Sequence, residues 1–192
     1  MSASDRARIV LVRHGETEWS ATGRHTSRTD LSLTDEGRRR AEALAAALSE
    51  WSFALVLSSP LRRARETCEI AGFGGQAEID DDLHEWDYGE YEGLTTPEIR
   101  ERAPSWSLWR DGCPGGEFPA DIAQRADRVL ARLADGDGEA LAFAHGHILR
   151  VVAARWVGME VSAGARLALA AGAISVLGHE RETRVIERWN SG

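Results

Sequence analysis

The chain has 192 residues and carries 31 acidic against 23 basic side chains, which gives a net charge of −8. This acidic balance argues against a protein that binds duplex nucleic acid, because affinity for a phosphate backbone needs a surplus of Lys and Arg. A composition with 43% hydrophobic and 28% charged residues is typical of a folded globular domain. The length predicts one domain over residues 1–192.

All 23 basic residues are arginine, and lysine is absent. Two explanations are open at this point. A GC-rich genome favours Arg and Ala codons, which accounts for the pattern without any function. Alternatively, an acidic protein retains some of its guanidinium groups for an anionic ligand, since the planar fork of Arg matches phosphate oxygens.

No segment of the sequence has the pattern of an export signal or a membrane span. The segment Met1–Arg8 is short and polar, and the apolar runs Ile9–Val12 and Leu167–Leu177 are too short. The two cysteines, Cys68 and Cys113, lack metal-ligand spacing and offer no disulfide framework. We therefore expect a cytoplasmic protein without membrane contact, metal or other cofactor.

The first two thirds of the chain alternate between predicted strands and helices. Short apolar runs predict strands at Arg8–Val12, Phe53–Leu57 and Ala140–Ala144. Helices are predicted from an N-cap at Thr34 to Leu48, at Leu61–Ala71 after Pro60, at Pro97–Arg102, at Ala120–Ala134, and from Gly146 to Val157. The C-terminal third is predicted to form strands at Arg166–Leu169, Ile174–Leu177 and Arg184–Trp189.

This alternation predicts an α/β fold, a three-layer α/β/α sandwich around a mostly parallel sheet. Three of the predicted strands end in polar clusters, namely Arg13-His14-Gly15, Ser58 to Arg63, and His145-Gly146-His147. Open α/β sheets bind ligands outside the carboxyl ends of their strands. We therefore expect two histidines and two arginines at one edge of the sheet to form a site.

The first cluster has the residues of a phosphoryl-transfer site. A neutral imidazole is a good nucleophile toward phosphorus, and Gly15 beside His14 would leave one side open to approach. Arg13 offers a bidentate fork to phosphate oxygens. Taken alone, Arg-His-Gly equally fits a strand end with a solvated Arg and a structural His.

Two further clusters supply complementary chemistry. Arg62 and Arg63 lie in the first turn of a predicted helix, where backbone N–H groups already favour an anion. Glu85 stands between Trp86 and Tyr88 in an aromatic-acidic segment. Apolar surroundings and anionic oxygens raise a carboxyl pKa, and a raised pKa suits a general acid near neutral pH.

Together with His145, these segments resemble the histidine phosphatase superfamily from Ile9 to about Arg155. The resemblance implies a phosphoglycerate-mutase-like fold and a set of roles. It makes His14 the nucleophile that becomes phosphohistidine, and Glu85 the acid. It places Arg13, Arg63 and His145 around the phosphoryl oxygens. Arg63 is preferred to Arg62 because the family's arginine directly precedes an alanine.

Within that family, the segments 85–93, 109–113 and 143–150 are similar to sedoheptulose bisphosphatases and to small bacterial acid phosphatases. This similarity implies that His25, Thr26, Tyr88 and Arg150 contact a sugar or a second phosphate. A surface salt bridge explains Arg150 nearly as well. Ser20 stands where many members have Asn and is a further candidate contact. Trp86, Trp106 and Trp109 either line the pocket or pack in the core.

The resemblance also separates hydrolysis from transfer. A small cap region is expected around residues 86–120. The stretch between Gly93 and Ala140 is short, whereas mutases carry a longer insert there that shields phosphohistidine from water. We therefore expect a metal-independent phosphatase that hydrolyses a small phosphorylated metabolite. The alternatives are a phosphoglycerate mutase and a catalytically silent phosphate-binding module. The runs Asp80-Asp81-Asp82 and His145-Gly146-His147 lack the further ligands of a metal site. The oligomeric state stays open, a dimer included.

Overall fold

The computed structural model describes residues 8–192. The polar segment before Arg8, on which the expectation about export partly rests, lies outside these residues. A six-stranded sheet with the strand order β3-β2-β4-β1-β5-β6 forms the centre of the described chain. The strands are β1 (Ile9–Arg13), β2 (Phe53–Ser58), β3 (Glu78–Ile79), β4 (Glu139–Ala144), β5 (Ile174–Glu180) and β6 (Thr183–Ser191).

The sheet is parallel over most of its width. β1 and β2 both pair in parallel with β4, and β2 also pairs in parallel with β3. β5 runs antiparallel to β1, and β6 runs antiparallel to β5. In the β1–β4 register, Arg13 lies beside Ala144. The last residues of β1 and β4 therefore reach the same edge, which places His14 and His145 side by side.

Seven α-helices flank the sheet within residues 8–192. They are α1 (Glu18–Thr22), α2 (Asp35–Leu48), α3 (Arg62–Ile70), α4 (Thr96–Arg102), α5 (Leu108–Asp111), α6 (Pro119–Ala134) and α7 (Gly146–Trp156). The predicted cap of α2 is confirmed, since the Thr34 hydroxyl accepts a hydrogen bond from the Gly37 N–H at 3.0 Å. The short helices α1 and α5 and the two-residue strand β3 were not predicted, because so few residues carry no periodic signal.

Strand alternation sorts the core into two clusters, one on each face of the sheet. On β1, Ile9 and Leu11 pack with residues of α6 and α7, such as Val129 and Val152. The intervening Val10 and Val12 pack on the other face with residues of α2 and α3, such as Leu44 and Cys68. Since successive side chains of a strand point to opposite faces, this division confirms the three-layer α/β/α arrangement.

The predicted strand at Arg166–Leu169 is wrong. Residues Val161–Arg166 form a 3₁₀ helix, and residues 167–173 form no strand, although Gly172 and Ala173 make backbone hydrogen bonds with Arg13 at the end of β1, at 3.1 Å each. Side chains at the end of β6 bind other backbone groups of this segment. The Trp189 indole donates to the Ala168 carbonyl at 2.5 Å, and the Ala170 N–H donates to the Asn190 side chain at 2.7 Å. The apolar composition of this segment therefore reflects packing and not strand pairing.

The expectation of a cytoplasmic protein concerned membrane-spanning segments and the two cysteines. No helix within residues 8–192 is long and apolar enough to cross a membrane. Cys68 and Cys113 are both free and buried. Burial raises the pKa of each thiol to about 12, so neither is a reactive thiolate near neutral pH.

Candidate active site

A cavity of about 160 Å³ lies at the carboxyl ends of β1 and β4. It contains nine of the ten residues that the sequence predicts for the site, and His145 is the exception. Its lining consists of Arg13, His14, Thr17, Ser20, Gly23, Arg24, His25, Thr26, Arg63, Glu85, Tyr88, Gly146, His147, Arg150 and Leu169. The predicted convergence of strand ends at one site therefore agrees with the placement of these residues.

His14 is held at the end of β1 with one ring nitrogen free. Its backbone N–H continues the ladder to the Ala144 carbonyl at 2.9 Å. The ring Nδ1 lies 2.6 Å from the Gly15 carbonyl and must donate to it, because a carbonyl only accepts. Burial lowers the pKa of His14 well below 6.5, and the charges of Arg63 and Arg13 lower it further. The ring is therefore neutral, with its lone pair on Nε2.

Gly15 is required for packing and not for an open approach to His14, contrary to the expectation. A Cβ on Gly15 would lie 2.4 Å from the Gly37 carbonyl oxygen in the first turn of α2. The Gly15 N–H donates to the Thr67 hydroxyl at 3.0 Å. The loop after β1 therefore packs closely between α2 and α3, and this packing holds the backbone of His14 in place.

Arg63 is almost completely buried, with 1% of its surface exposed. Its guanidinium donates to the Thr29 and Thr26 carbonyls at 3.1 Å each and to the Ser27 carbonyl at 3.3 Å. Arg62, by contrast, is exposed and pairs with Glu66 one turn later on α3. This contrast supports the choice of Arg63 over its neighbour.

Arg13 contacts the segment 167–173 and keeps part of its donor capacity free. A terminal nitrogen of its guanidinium donates to the Leu169 carbonyl. Its Nε is buried without a hydrogen-bond partner among the described residues. Burial lowers the pKa of Arg13, while the Glu85 carboxylate raises it. A buried donor without a partner is costly, so this N–H is available to an anion in the cavity.

His145 lies behind His14 and not in the cavity wall. The two ring centroids are 5.1 Å apart. The His145 Nδ1 accepts a hydrogen bond from the Arg63 Nε at 3.1 Å, which leaves Nε2–H to donate to the Ser59 hydroxyl at 2.7 Å. In this arrangement His145 orients Arg63 and packs on the nucleophile. Its direct contact with a phosphoryl group stays a prediction.

Glu85 departs from the raised pKa that we expected. One carboxylate oxygen accepts from the Trp86 N–H at 2.9 Å, and both accept from the His147 N–H at 2.9 and 3.1 Å. The Ile148 N–H adds a bond at 2.9 Å. Burial raises the pKa of Glu85, but its hydrogen bonds with His147 and its electrostatic interactions with His147 and His145 outweigh burial and hold the pKa well below 4.5. This pKa is therefore set by residues at the start of α7 and not by the aromatic neighbours in sequence.

The outer wall of the cavity is made of hydroxyl groups and rings. The Ser20 hydroxyl accepts from the Thr17 N–H at 2.9 Å and donates to the Thr17 carbonyl at 3.0 Å, so it caps α1. Thr26 donates to the Arg24 carbonyl at 3.1 Å. His25 packs on Tyr88 with ring centroids 4.6 Å apart, and burial with the nearby His147 lowers its pKa to about 4. The imidazole of His25 is therefore neutral near pH 7.

Arg150 forms no ion pair with any residue between 8 and 192, so the salt-bridge explanation is wrong. Its Nε donates to the Gly164 carbonyl at 2.9 Å, and its guanidinium carbon lies 4.5 Å above the Trp109 ring. Trp86 and Trp106 are buried in the core, and Trp109 packs against it. None of these three tryptophans lines the cavity, so the packing alternative holds for them.

Six residues that line the cavity were not predicted for the site: Thr17, Gly23, Arg24, Gly146, His147 and Leu169. His147 was considered only as a metal ligand, although its position in the first turn after a strand end was a usable signal. Arg24 pairs with Glu98 at 3.2 Å, a long-range contact that no spacing reveals. Leu169 was assigned to a strand.

Within residues 8–192, no group of three or more His, Cys, Asp or Glu side chains is arranged to hold a metal ion. The run Asp80-Asp81-Asp82 is used in ion pairs instead. Asp80 pairs with Arg132 at 2.9 Å, and Asp82 pairs with Arg128 at 2.7 Å. These aspartates therefore anchor helix α6.

Comparison with known proteins places this cavity in a family. A model of the histidine phosphatase superfamily (branch 1) matches residues 9–192. An acid phosphatase of Mycobacterium tuberculosis (strain ATCC 25618 / H37Rv) is 42% identical over 181 residues, which cover 92% of this chain and 89% of the relative. A sedoheptulose 1,7-bisphosphatase of Saccharomyces cerevisiae is 38% identical over 186 residues, covering 80% and 69%.

A solved structure agrees with the sequence relatives. The structure of the open reading frame Rv3214 from Mycobacterium tuberculosis superposes with a TM-score of 0.92 at 40% identity, covering 96% of this chain and 97% of that one. The residues matched by the family model include His14, Arg63 and His145. The chain belongs to the histidine phosphatase superfamily, branch 1.

Proposed function

We propose that this protein is a phosphatase that hydrolyses a small phosphorylated metabolite through a phosphohistidine on His14. One observation carries the proposal. The Nδ1 of His14 is fixed to the Gly15 carbonyl, so a neutral Nε2 is free in a cavity that also contains Arg13, Arg63 and Glu85. A nucleophile, phosphate-binding cations and an acid–base group thus share one small space, as phosphoryl transfer requires.

In the first half-reaction, His14 Nε2 attacks phosphorus and the bond to the leaving oxygen breaks. The guanidinium groups of Arg13 and Arg63 stabilise the charge on the equatorial phosphoryl oxygens, which is the main task of a protein in phosphoryl transfer. The leaving oxygen takes up a proton. In the second half-reaction, water attacks phosphorus, the N–P bond to His14 breaks, and a proton of the water passes to Glu85 as inorganic phosphate leaves.

Glu85 is the proposed acid and base of these two steps. In the empty cavity its pKa lies well below 4.5, which favours the carboxylate. A phosphoryl dianion in the cavity adds negative charge beside it, and a nearby like charge raises a carboxyl pKa. Substrate binding itself therefore moves Glu85 toward the protonated form that the leaving oxygen needs.

The lining of the cavity suits a phosphorylated polyol. The hydroxyl groups of Ser20, Thr26 and Tyr88 can form hydrogen bonds with the hydroxyl groups of a sugar. Arg150, which has no acidic partner among residues 8–192, suits a second anionic group. Substrates of this class agree with a relative named sedoheptulose 1,7-bisphosphatase.

A phosphatase is proposed in preference to a mutase because the region that would shield the phosphohistidine is short. Between Gly93 and Glu139 the chain forms only α4, α5, α6 and their connections. Water therefore reaches the intermediate from the open side of the cavity. A silent binding module would not need a nucleophile, cations and a carboxylate in one place. We place the enzyme in the cytoplasm, as one domain with residues 86–120 as its cap.

The test is to trap the intermediate. Enzyme mixed with a ³²P-labelled sugar phosphate and quenched in alkali should carry a labelled phosphoryl group that is stable in base and lost in acid. His14→Ala should carry no label and show no turnover, while His84→Asn, outside the cavity, should label normally. Undiminished labelling or turnover of His14→Ala would refute the mechanism. A panel of phosphorylated metabolites, followed by phosphate release, would then identify the substrate.

A further inference from the structure

The cavity contains a second imidazole, His147, that the mechanism above leaves without a role. It is the second residue of α7, and its own N–H is one of the three that hold the Glu85 carboxylate. Its side chain is 20% exposed, toward the cavity that it lines. The ring therefore lies beside the proposed acid and is open to the substrate space.

The imidazole of His147 lies near two side-chain oxygen atoms, the Tyr88 hydroxyl and Oε2 of Glu85. Its Nδ1 lies 2.6 Å from the Tyr88 hydroxyl and 3.7 Å from Oε2 of Glu85. Oε1 of Glu85 already faces the N–H groups of Trp86, His147 and Ile148. Oε2 accepts one backbone bond, so it has capacity left for a proton. The oxygen that can carry a proton is thus the one that faces the imidazole.

We propose that His147 is a positioning residue that keeps the acid proton beside Glu85, so that a Glu85–His147 pair protonates the leaving group. This rests on the proposed function. As His14 Nε2 bonds to phosphorus and the ester bond breaks, the single proton of the pair passes to the leaving oxygen and an alcohol departs. When water attacks the phosphohistidine, the N–P bond breaks, the hydroxyl joins phosphorus and the remaining proton returns to the pair.

The groups around His147 govern when the Glu85–His147 pair takes up a proton. Glu85 and Tyr88 face His147 from the segment after the 3₁₀ helix Asp81–Leu83, and His25 faces it from the loop after α1. Arg13 on β1 and Arg150 on its own helix face it as cations. Burial lowers the pKa of His147, and Glu85 opposes this effect. Without substrate the carboxylate and the neutral imidazole therefore dominate, and a bound phosphoryl dianion raises both pKa values.

Loss of the imidazole should be visible in the pH profile. Glu85 alone, held by three N–H groups, would lose its proton at lower pH than the pair does. For His147→Asn we expect the alkaline limb of kcat with glycerol phosphate to move down by about one pH unit. The amide of Asn keeps a polar contact with Tyr88 but carries no proton near neutral pH. His147→Gln provides a second variant should the first fold poorly.

The leaving group separates acid assistance from packing. At about pH 7.5 kcat with glycerol phosphate should fall about tenfold, whereas kcat with p-nitrophenyl phosphate should change by less than about twofold, since a good leaving group needs no proton. KM should stay within about threefold. His84→Asn, one residue before Glu85 and outside the cavity, is the matched control and should keep the wild-type profile.

Two results would overturn the proposal. Equal losses on both esters with an unmoved alkaline limb would mean that His147 only packs against Tyr88 and Trp109. An unchanged profile in both variants would mean that it has no role. In either case the alkali-stable label on His14 would persist, so the proposed function would still stand. Absence of that label in the wild type would instead refute the function itself.

Discussion

Arg63 and Arg150 line the same cavity but are held in opposite ways. Arg63 is 1% exposed and donates to three backbone carbonyls and to His145. Arg150 is tied by its Nε to one carbonyl and by its guanidinium plane to Trp109. Arg63 is therefore held mainly by backbone carbonyls, whereas Arg150 packs on the side chain of Trp109.

The difference divides the cavity into an inner end and a rim. At the inner end, backbone groups of β4, of the loop 26–29 and of the start of α7 hold His14, Arg63 and Glu85, so the geometry depends mainly on the fold. At the rim, His25 and Tyr88 pack on each other, and Arg150 is placed by the Gly164 carbonyl and the Trp109 ring. Chemistry is therefore expected to be sensitive to small changes at the inner end, and substrate choice to changes at the rim.

The largest effect is expected from Glu85→Gln, which removes the acid. Turnover of an alkyl phosphate should fall by about 10³-fold, the typical value of general acid–base assistance. The loss should be much smaller for p-nitrophenyl phosphate, because nitrophenolate leaves without a proton. Steady-state kinetics on the two esters measures the ratio. An equal loss on both would assign Glu85 a structural role at the start of α7.

The second-largest effect on activity is expected from Arg63→Lys at the inner end of the cavity. Lysine cannot reproduce the fork, and the substitution leaves buried carbonyls of the loop 26–29 without donors. We expect kcat/KM to fall by about 10²-fold, or about 3 kcal/mol. The matched control is Arg62→Lys on the exposed side of the same turn, which should stay within about twofold because surface ion pairs contribute little. Equal sensitivity of both would remove the distinction between inner and outer arginines.

At the rim, Arg150→Met should raise KM for a substrate with two anionic groups by about tenfold, since a hydrogen bond to a charged group contributes about 1.5–3 kcal/mol. kcat should change little, and p-nitrophenyl phosphate, with one anionic group, should be unaffected. Arg155→Met is the control, because Arg155 lies on the same helix but pairs outward with Asp127 at 2.9 Å. A change in kcat without a change in KM would place Arg150 at the inner end.

The last expected effect is on stability, at mild acidity, and not on turnover. His14 and His145 are buried and neutral, and the pKa of His25 is lowered to about 4. The unfolded chain titrates near pH 6.5 and binds protons first as the pH falls, so stability is present above that value and declines below it. Each histidine contributes a slope of up to about 1.4 kcal/mol per pH unit. Chemical denaturation at pH 7.5, 6.5 and 5.5 measures the slope, which His25→Gln should reduce. A stability that did not fall below pH 6.5 would contradict the neutral state of these rings.

Much of this architecture was predictable because the signals are local. The runs at Ile9–Arg13, Phe53–Ser58 and Glu139–Ala144 are apolar and short, and each is bounded by turn residues. Thr34 caps α2 through its own side chain. The convergence of polar clusters at strand ends follows from parallel pairing, so nine of the ten predicted residues line one cavity. Position along the chain determined these features.

Other features depended on contacts between distant segments. Position 15 must be glycine because a Cβ there would clash with the backbone of Gly37 in α2. Residues 167–173 form no strand, and their backbone binds the side chains of Trp189 and Asn190. The low pKa of Glu85 arises from its interactions with His147 and His145 at the start of α7, sixty or more positions later, where sequence context indicated only aromatic neighbours.

The arginines show the same division. The sequence by itself determined that every cation is a guanidinium and that Arg13 and Arg63 follow strands, which was enough to indicate a phosphate site in an acidic chain. Only the tertiary structure decided which arginines are held inside, which pair with surface carboxylates and which face the cavity without an acidic partner. Residue type and order are local information, whereas burial, hydrogen-bond partners and the charge state of a group depend on what the fold brings around it.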